Sequence, residues 1–156
     1  LTKNYLFNKD SLSVRFQMAF RKRFIHPDLF SDWELIELKL SGVLTFIGMI
    51  CSADDVGNLK YCCKTIYAKT FPMSDEVTVK DVQAAVDGLI NVGLIKVYEE
   101  DNQKYLHINR FHKYQKPNHP SNPEHPIDNW SMQDEDLPEA TRRKILTWTK
   151  GILNED

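Results

Sequence analysis

Leu94-Ile95-Lys96-Val97-Tyr98-Glu99 and Lys104-Tyr105-Leu106-His107-Ile108 are two runs of β-branched and aromatic residues around the polar tip Glu100-Asp101-Asn102-Gln103. That pattern predicts an antiparallel hairpin. Immediately upstream, Asn91-Val92-Gly93 closes a helix, with Gly93 placed to supply a left-handed cap. The helix runs from about Thr78 to Asn91, because Val79, Val82, Ala85, Val86, Leu89 and Ile90 recur at helical spacing. Phe71-Pro72 stops an earlier helix over Cys62–Thr70, since the residue before proline is pushed out of the helical region. Ile66 and Tyr67 face inward on it, and Lys60, Lys64 and Lys69 outward.

Further upstream, Leu59-Lys60-Tyr61 is a short strand candidate after the turn Asp54-Asp55-Val56-Gly57-Asn58, in which Gly supplies a positive φ. Gly42–Ser52, capped by Ser41, is apolar nearly all round and predicts a central buried helix. Ser31-Asp32 is an N-cap signal for a short helix over Trp33–Leu38. Helices followed by a two-stranded hairpin predict an α+β, mostly α, fold: a winged helix-turn-helix with a C-terminal extension and one further helix.

Residues 1–18 lack a clear period and read as an N-terminal extension, upstream of or foreign to the domain over 19–116. Residues 117–137 read as a linker, first Pro-rich and then acidic. Phe111–Pro126 holds Pro117, Pro120, Pro123 and Pro126 and is expected to run extended over the surface. Pro138 opens a last helix over 138–154, with Ile145, Leu146, Trp148, Ile152 and Leu153 as its apolar residues.

The 156 residues carry 20 Lys+Arg against 22 Asp+Glu, a net charge of −2 that excludes a globally basic nucleic-acid binder. The charge is nonetheless segregated. Residues 1–23 hold six bases and one acid, residues 104–119 hold four bases and no acid, and residues 120–139 hold six acids and no Lys or Arg. No apolar run is long enough to span a membrane, and the N-terminus lacks the apolar block of a signal peptide. Cys51, Cys62 and Cys63 are not a disulfide framework and fit a reducing cytoplasm. Adjacent Cys62 and Cys63 point different ways on a helix, so no metal site and no cofactor is expected. No Gly-rich phosphate loop or Gly-x-Ser-x-Gly elbow occurs, which predicts a non-enzyme.

Residues 19–120 resemble the N-terminal winged-helix domain of bacteriophage replisome organisers, relatives of the DnaD primosome protein. The resemblance is carried by Leu40-Ser41-Gly42, Phe46-Ile47-Gly48, Ala53-Asp54-Asp55-Val56-Gly57, Phe71-Pro72 and the run from Val86-Asp87-Gly88-Leu89 to Gly93-Leu94-Ile95. Its most specific piece is Tyr105-Leu106-His107-Ile108 followed by Phe111-His112-Lys113-Tyr114-Gln115-Lys116-Pro117-Asn118-His119-Pro120. It implies phage DNA replication: binding of origin DNA and recruitment of the helicase or its loader. DnaD-like proteins also carry a second helical domain, for which residues 121–156 are too short.

The site candidates follow from winged-helix geometry, in which the third helix enters the major groove and flanking bases hold phosphates. On the Thr78–Asn91 helix the outward residues are Lys80, Asp81, Gln83, Ala84 and Asp87. Lys80 and Gln83 suit DNA, whereas the two acids oppose it. Lys64, Lys69, Lys96 and Lys104 are phosphate candidates. Arg110, Lys113, Tyr114 and Lys116, with Phe111, combine cations and rings as single-strand binders do; the alternative is that Phe111 and Tyr114 pack in the core. Arg21, Lys22 and Arg23 are a candidate minor-groove arm or a solvated terminus. Duplex or single-stranded DNA, replication proteins and a second copy of the chain are the expected partners. Two other readings stand beside this one: a protein-interaction module gripping a partner through Asp81 and Asp87, and a dimeric transcription regulator.

Overall fold

A computed structural model describes residues 20–153 of the protein. The residue 1–18 extension and residue 154 therefore lie outside the described residues. The fold is α+β, with a small three-stranded antiparallel sheet. A 3-10 turn, Pro27–Ser31, leads into α1, Trp33–Ile36, and then α2, Leu40–Ser52. β1, Asn58–Lys60, precedes α3, Cys63–Thr70, and α4, Val79–Asn91. The hairpin is β2, Ile95–Glu100, and β3, Gln103–Ile108. α5, Phe111–Tyr114, α6, Asn129–Gln133, and α7, Glu139–Leu153, follow.

The sheet order is β1-β3-β2, with Leu59 opposite Leu106 and Tyr98 opposite Tyr105. The hairpin tip is Asp101-Asn102, both at positive φ (50° and 59°), the twist that a two-residue connection between antiparallel strands demands. Gly93 takes φ +80° just past the end of α4, as its position predicts. The main core joins Phe46, Met49 and Ile50 of α2, Ile66 of α3, Val82, Val86 and Leu89 of α4, and Leu106 and Ile108 of β3.

Several boundaries differ from the sequence-based expectation. α2 begins at Leu40 with Lys39 as an N-cap lacking any side-chain hydrogen bond. Ser41 lies inside the helix, where its carbonyl accepts the Thr45 hydroxyl. Nor is α2 buried all round: Leu40 and Leu44 are exposed. Residues 111–114 form a helical turn rather than extended chain, entered through Arg110 at φ 56°. Residues 127–137 are no plain linker. They hold α6, and Leu137 joins Val56 and Ile145 in a second small core packed by Ile127 and Met132. No helix among the described residues is long and apolar enough to cross a membrane.

The turn after α2 organises the rest. Asp54 is buried, and one of its carboxylate oxygens accepts the amides of Val56 (3.0 Å) and Asn58 (2.9 Å). The other accepts the amide of Glu124 at 3.2 Å, while Asp55 accepts that of Ser121 at 2.8 Å. The two carboxylates thus pin the proline-rich segment to the turn. Gly57 takes φ +93° here, and a Cβ on it would lie 2.7 Å from the Phe111 ring, so both space and backbone require glycine.

Candidate nucleic-acid interface

The sequence candidates separate into distinct places. Lys64 is exposed on the first turn of α3, Lys69 is half-buried on its last turn, and Lys80 is exposed at the start of α4. Lys104 is exposed on β3, directly opposite Glu99. The Tyr61 amide bonds to the Lys104 carbonyl at 3.0 Å, so the end of β1 meets the start of β3 just before α3 begins; Lys60, paired with Tyr105, points to the opposite face of the sheet from Lys104. Among the described residues, Lys64, Lys69, Lys80 and Lys104 form no salt bridge.

Gln83 is already committed within the fold. Its amide donates to the Tyr61 hydroxyl (3.0 Å) and to Asp87 (2.9 Å), and its carbonyl accepts the Cys63 thiol at 3.2 Å. This network locks α3 to α4. Burial, and then the Asp87 charge, raise the Cys63 pKa. Cys62 is the N-cap of α3, where the Thr65 hydroxyl, then its amide, lower its pKa.

The acids of α4 also have structural work. Asp81 and Thr78 form a capping box: the Asp81 carboxylate accepts the Thr78 amide and hydroxyl, both at 2.7 Å, and Thr78 accepts the Asp81 amide. The Thr78 hydroxyl and amide hold the Asp81 pKa below the usual carboxylate range. Asp81→Lys is expected to lower the urea midpoint of unfolding, because it removes a cap and sets a cation at the positive end of a helix.

Arg110, Lys113, Tyr114 and Lys116 belong to a different region. Arg110 is exposed and, with half-buried Tyr114, borders a cavity of about 200 Å3 whose inner wall includes Phe46, Ile50 and Phe111. The Tyr114 ring lies 5.1 Å from that of His26, and Lys113 Nζ sits 5.1 Å from the Tyr114 ring. Lys116 is exposed, whereas Phe111 is a core residue at 2% exposure. Of the two aromatic candidates, only Tyr114 has surface to offer a base.

The arm of three bases does not project as one. Arg21 donates to the Ala53 carbonyl (2.8 Å) and pairs with Glu124. Arg23 pairs with Asp55 at 2.9 Å, the two side chains only 6% and 8% exposed, and donates to the carbonyls of Ala53 and Asp54. Its guanidinium also lies 5.3 Å from the Phe111 ring centre. Burial works to raise Asp55, but the Ser121 amide and the Arg23 guanidinium bring its carboxyl below the usual range. The arm reading fails for Arg21 and Arg23 because the turn carbonyls and carboxylates hold them; Lys22 alone is exposed.

The face of the hairpin turned away from the main core carries Lys96, Tyr98, Tyr105 and His107. It is covered by the segment after α5. Trp130 lies 5.6 Å edge-on to Tyr98 and 5.8 Å from His107, and the Tyr98 hydroxyl donates to the Pro126 carbonyl at 2.7 Å. Burial, reinforced by the Asp54 charge, pushes the Tyr98 hydroxyl pKa up. Lys96 Nζ is 5.2 Å from the Trp130 ring centre, so this hairpin lysine is partly engaged. Among the described residues no group of three or more His, Cys, Asp or Glu is placed to hold a metal. No family model, curated protein or solved structure matches this chain.

Proposed function

We propose that the protein is a DNA-binding replication protein of phage type, a binding module rather than an enzyme, that lies on duplex DNA and helps recruit replication machinery such as a helicase or its loader. In this reading α2-β1-α3-α4-β2-β3 is a winged helix-turn-helix, α4 is the groove helix and the β2–β3 hairpin is the wing. The element order and the β1-β3-β2 sheet support it. The observation that carries it is the set of lysines, Lys64, Lys69, Lys80 and Lys104, with no ion-pair partner among the described residues. With Gln83 committed to Tyr61 and Asp87, contacts to phosphates dominate over base reading, and affinity is modest and salt-sensitive.

Four neutralised phosphates correspond to a log–log salt slope of about −4 on duplex DNA. Lys64→Ala with Lys104→Ala is expected to shrink that slope by about 2, read by fluorescence anisotropy of a labelled duplex across a salt series. Lys113→Ala with Lys116→Ala serves as the comparison, since those side chains stand in the α5 region. A slope unchanged by the first pair excludes the helix-pair face as the DNA surface. A slope reduced only by the second pair moves the contact to α5 and Tyr114.

A further inference from the structure

The cavity of about 200 Å3 lies between the segment 24–29, α2 and the junction of β3 with α5. Its inner wall is apolar, formed by Leu35, Phe46, Ile50, Leu94 and Phe111. Its outer wall is held in place from both sides. The Gln115 amide donates to the Phe24 carbonyl at 2.5 Å, and the His26 and Tyr114 rings lie 5.1 Å apart. The rim carries both signs of charge, in Glu34 and Arg110. Both are exposed, and neither forms an ion pair among the described residues. The other two acids of the rim are occupied: Asp28 lies 3.5 Å from His26, and Asp32 accepts the Glu34 and Leu35 amides. Arg110 stands at φ 56°, a backbone state that glycine or asparagine takes at less cost, and its side chain makes no capping bond to α5. Local structure therefore gains nothing from an arginine here; the cavity beside it is what the cation can serve.

We propose that this cavity binds a small zwitterion of the α-amino acid class with a large apolar side chain. Each part of the site selects one part of that ligand. The interior takes the apolar group: a cavity of roughly 150 Å3 lined by Leu, Ile and Phe side chains holds benzene, so this one admits a phenyl ring. The planar fork of Arg110 matches a carboxylate, which it holds through two parallel N–H donors. The unpaired Glu34 carboxylate matches an ammonium group. A simple carboxylic acid would bring its charge beside Asp28, Asp32 and Glu34 without compensation. A simple amine would leave the Arg110 guanidinium unmatched. Only a ligand with both charges on one apolar body answers the whole rim.

The inference goes beyond the DNA reading and does not depend on it, so its test contains no nucleic acid. L-phenylalanine, titrated into the isotope-labelled full chain, is expected to shift the Gly93, Arg110 and Gln115 amide resonances with a Kd of about 0.1 mM. Phenylpropionate, which lacks the amine, and phenethylamine, which lacks the carboxylate, each bind at least about tenfold more weakly. Arg110→Gly weakens L-phenylalanine about tenfold and leaves phenethylamine unchanged. Glycine suits the backbone at φ 56°, so circular dichroism stays native and the loss is one of binding. Glu34→Gln weakens L-phenylalanine and leaves phenylpropionate no weaker. Resonances unmoved by all three probes up to about 5 mM overturn the proposal. Either analogue binding as tightly as L-phenylalanine overturns the zwitterion, and an affinity indifferent to Arg110→Gly and Glu34→Gln overturns the site.

Discussion

Arg23→Met is expected to destabilise the protein by about 3–5 kcal/mol, the cost of leaving Asp55 charged and unpaired in a buried site. For a chain of this size that lowers Tm by roughly 10 °C. The effect is large because Arg23 does several things at once. It neutralises Asp55 at 2.9 Å, satisfies the Ala53 and Asp54 carbonyls, and lies against the Phe111 ring. Asp55→Asn in the same chain is expected to recover most of the loss, since the amide oxygen still accepts the Ser121 N–H but carries no charge. Thermal melts of wild type, Arg23→Met and the double variant decide the matter. Equal losses in the single and double variants would mean that Arg23 acts through packing and not through Asp55.

A second large effect is expected with acid. His107 is buried on β3, its Nδ1 2.6 Å from Asn58 Oδ1, and burial, helped by the positive charges of His112 and Lys96, pushes its pKa down to about 4. The unfolded chain takes up this proton near pH 6.5 and the folded chain only near pH 4. Between those values the unfolded state binds more protons, so stability rises with pH. The contribution is complete above pH 6.5 and is lost as the pH falls toward 4, by about 2 kcal/mol at pH 5 and about 3 kcal/mol at pH 4. His112 and His125, whose pKa values burial also lowers, act in the same direction. Asp54, raised by its own burial, opposes them at the acid end. Urea midpoints at pH 7 and pH 5 measure the slope. His107→Gln, which keeps an amide donor for Asn58, is expected to flatten it, and an unchanged slope assigns the acid sensitivity to the other two histidines.

What could be read from sequence was what is encoded locally. The hairpin, the left-handed Gly93 and the stripe of α4 each follow from a few adjacent residues, and each lies close to where the pattern puts it. The role of Asp54 and Asp55 was half legible: the turn is local, but the amides they hold belong to Glu124 and Ser121, 70 and 66 positions away. Arg21 and Arg23 look like a basic terminus because their partners lie about 30 residues on, and Glu124 lies 103 positions from Arg21. The same distance hid the cover over the hairpin. Tyr98 and Tyr105, facing each other on the strands' polar side, were a usable signal that this side is not left to water. For the candidate interface, α3 and α4 were placed correctly, whereas the commitment of Gln83 depends on Tyr61 and Cys63 across a helix pair.

The turn at residues 53–55 also bears on how the chain comes together in time. Two stretches that flank the sheet in sequence, 21–23 and 121–124, both make their polar contacts there. Neither can dock before the turn exists, because the acceptors are carbonyls and carboxylates that only its folded backbone aligns. Closing the longer loop costs little more entropy than closing the shorter, since the penalty grows only with the logarithm of length. The expected order of assembly follows what must already be built, with helix pair, turn and hairpin first and the two straps closing over them last, which φ-values at Arg23 and Ile66 would measure as low and high respectively. In the reverse direction the straps are the first to lift. Hydrogen exchange is expected to be faster at the Ser121 and Glu124 amides than along the paired strands, the signature of straps that open short of global unfolding.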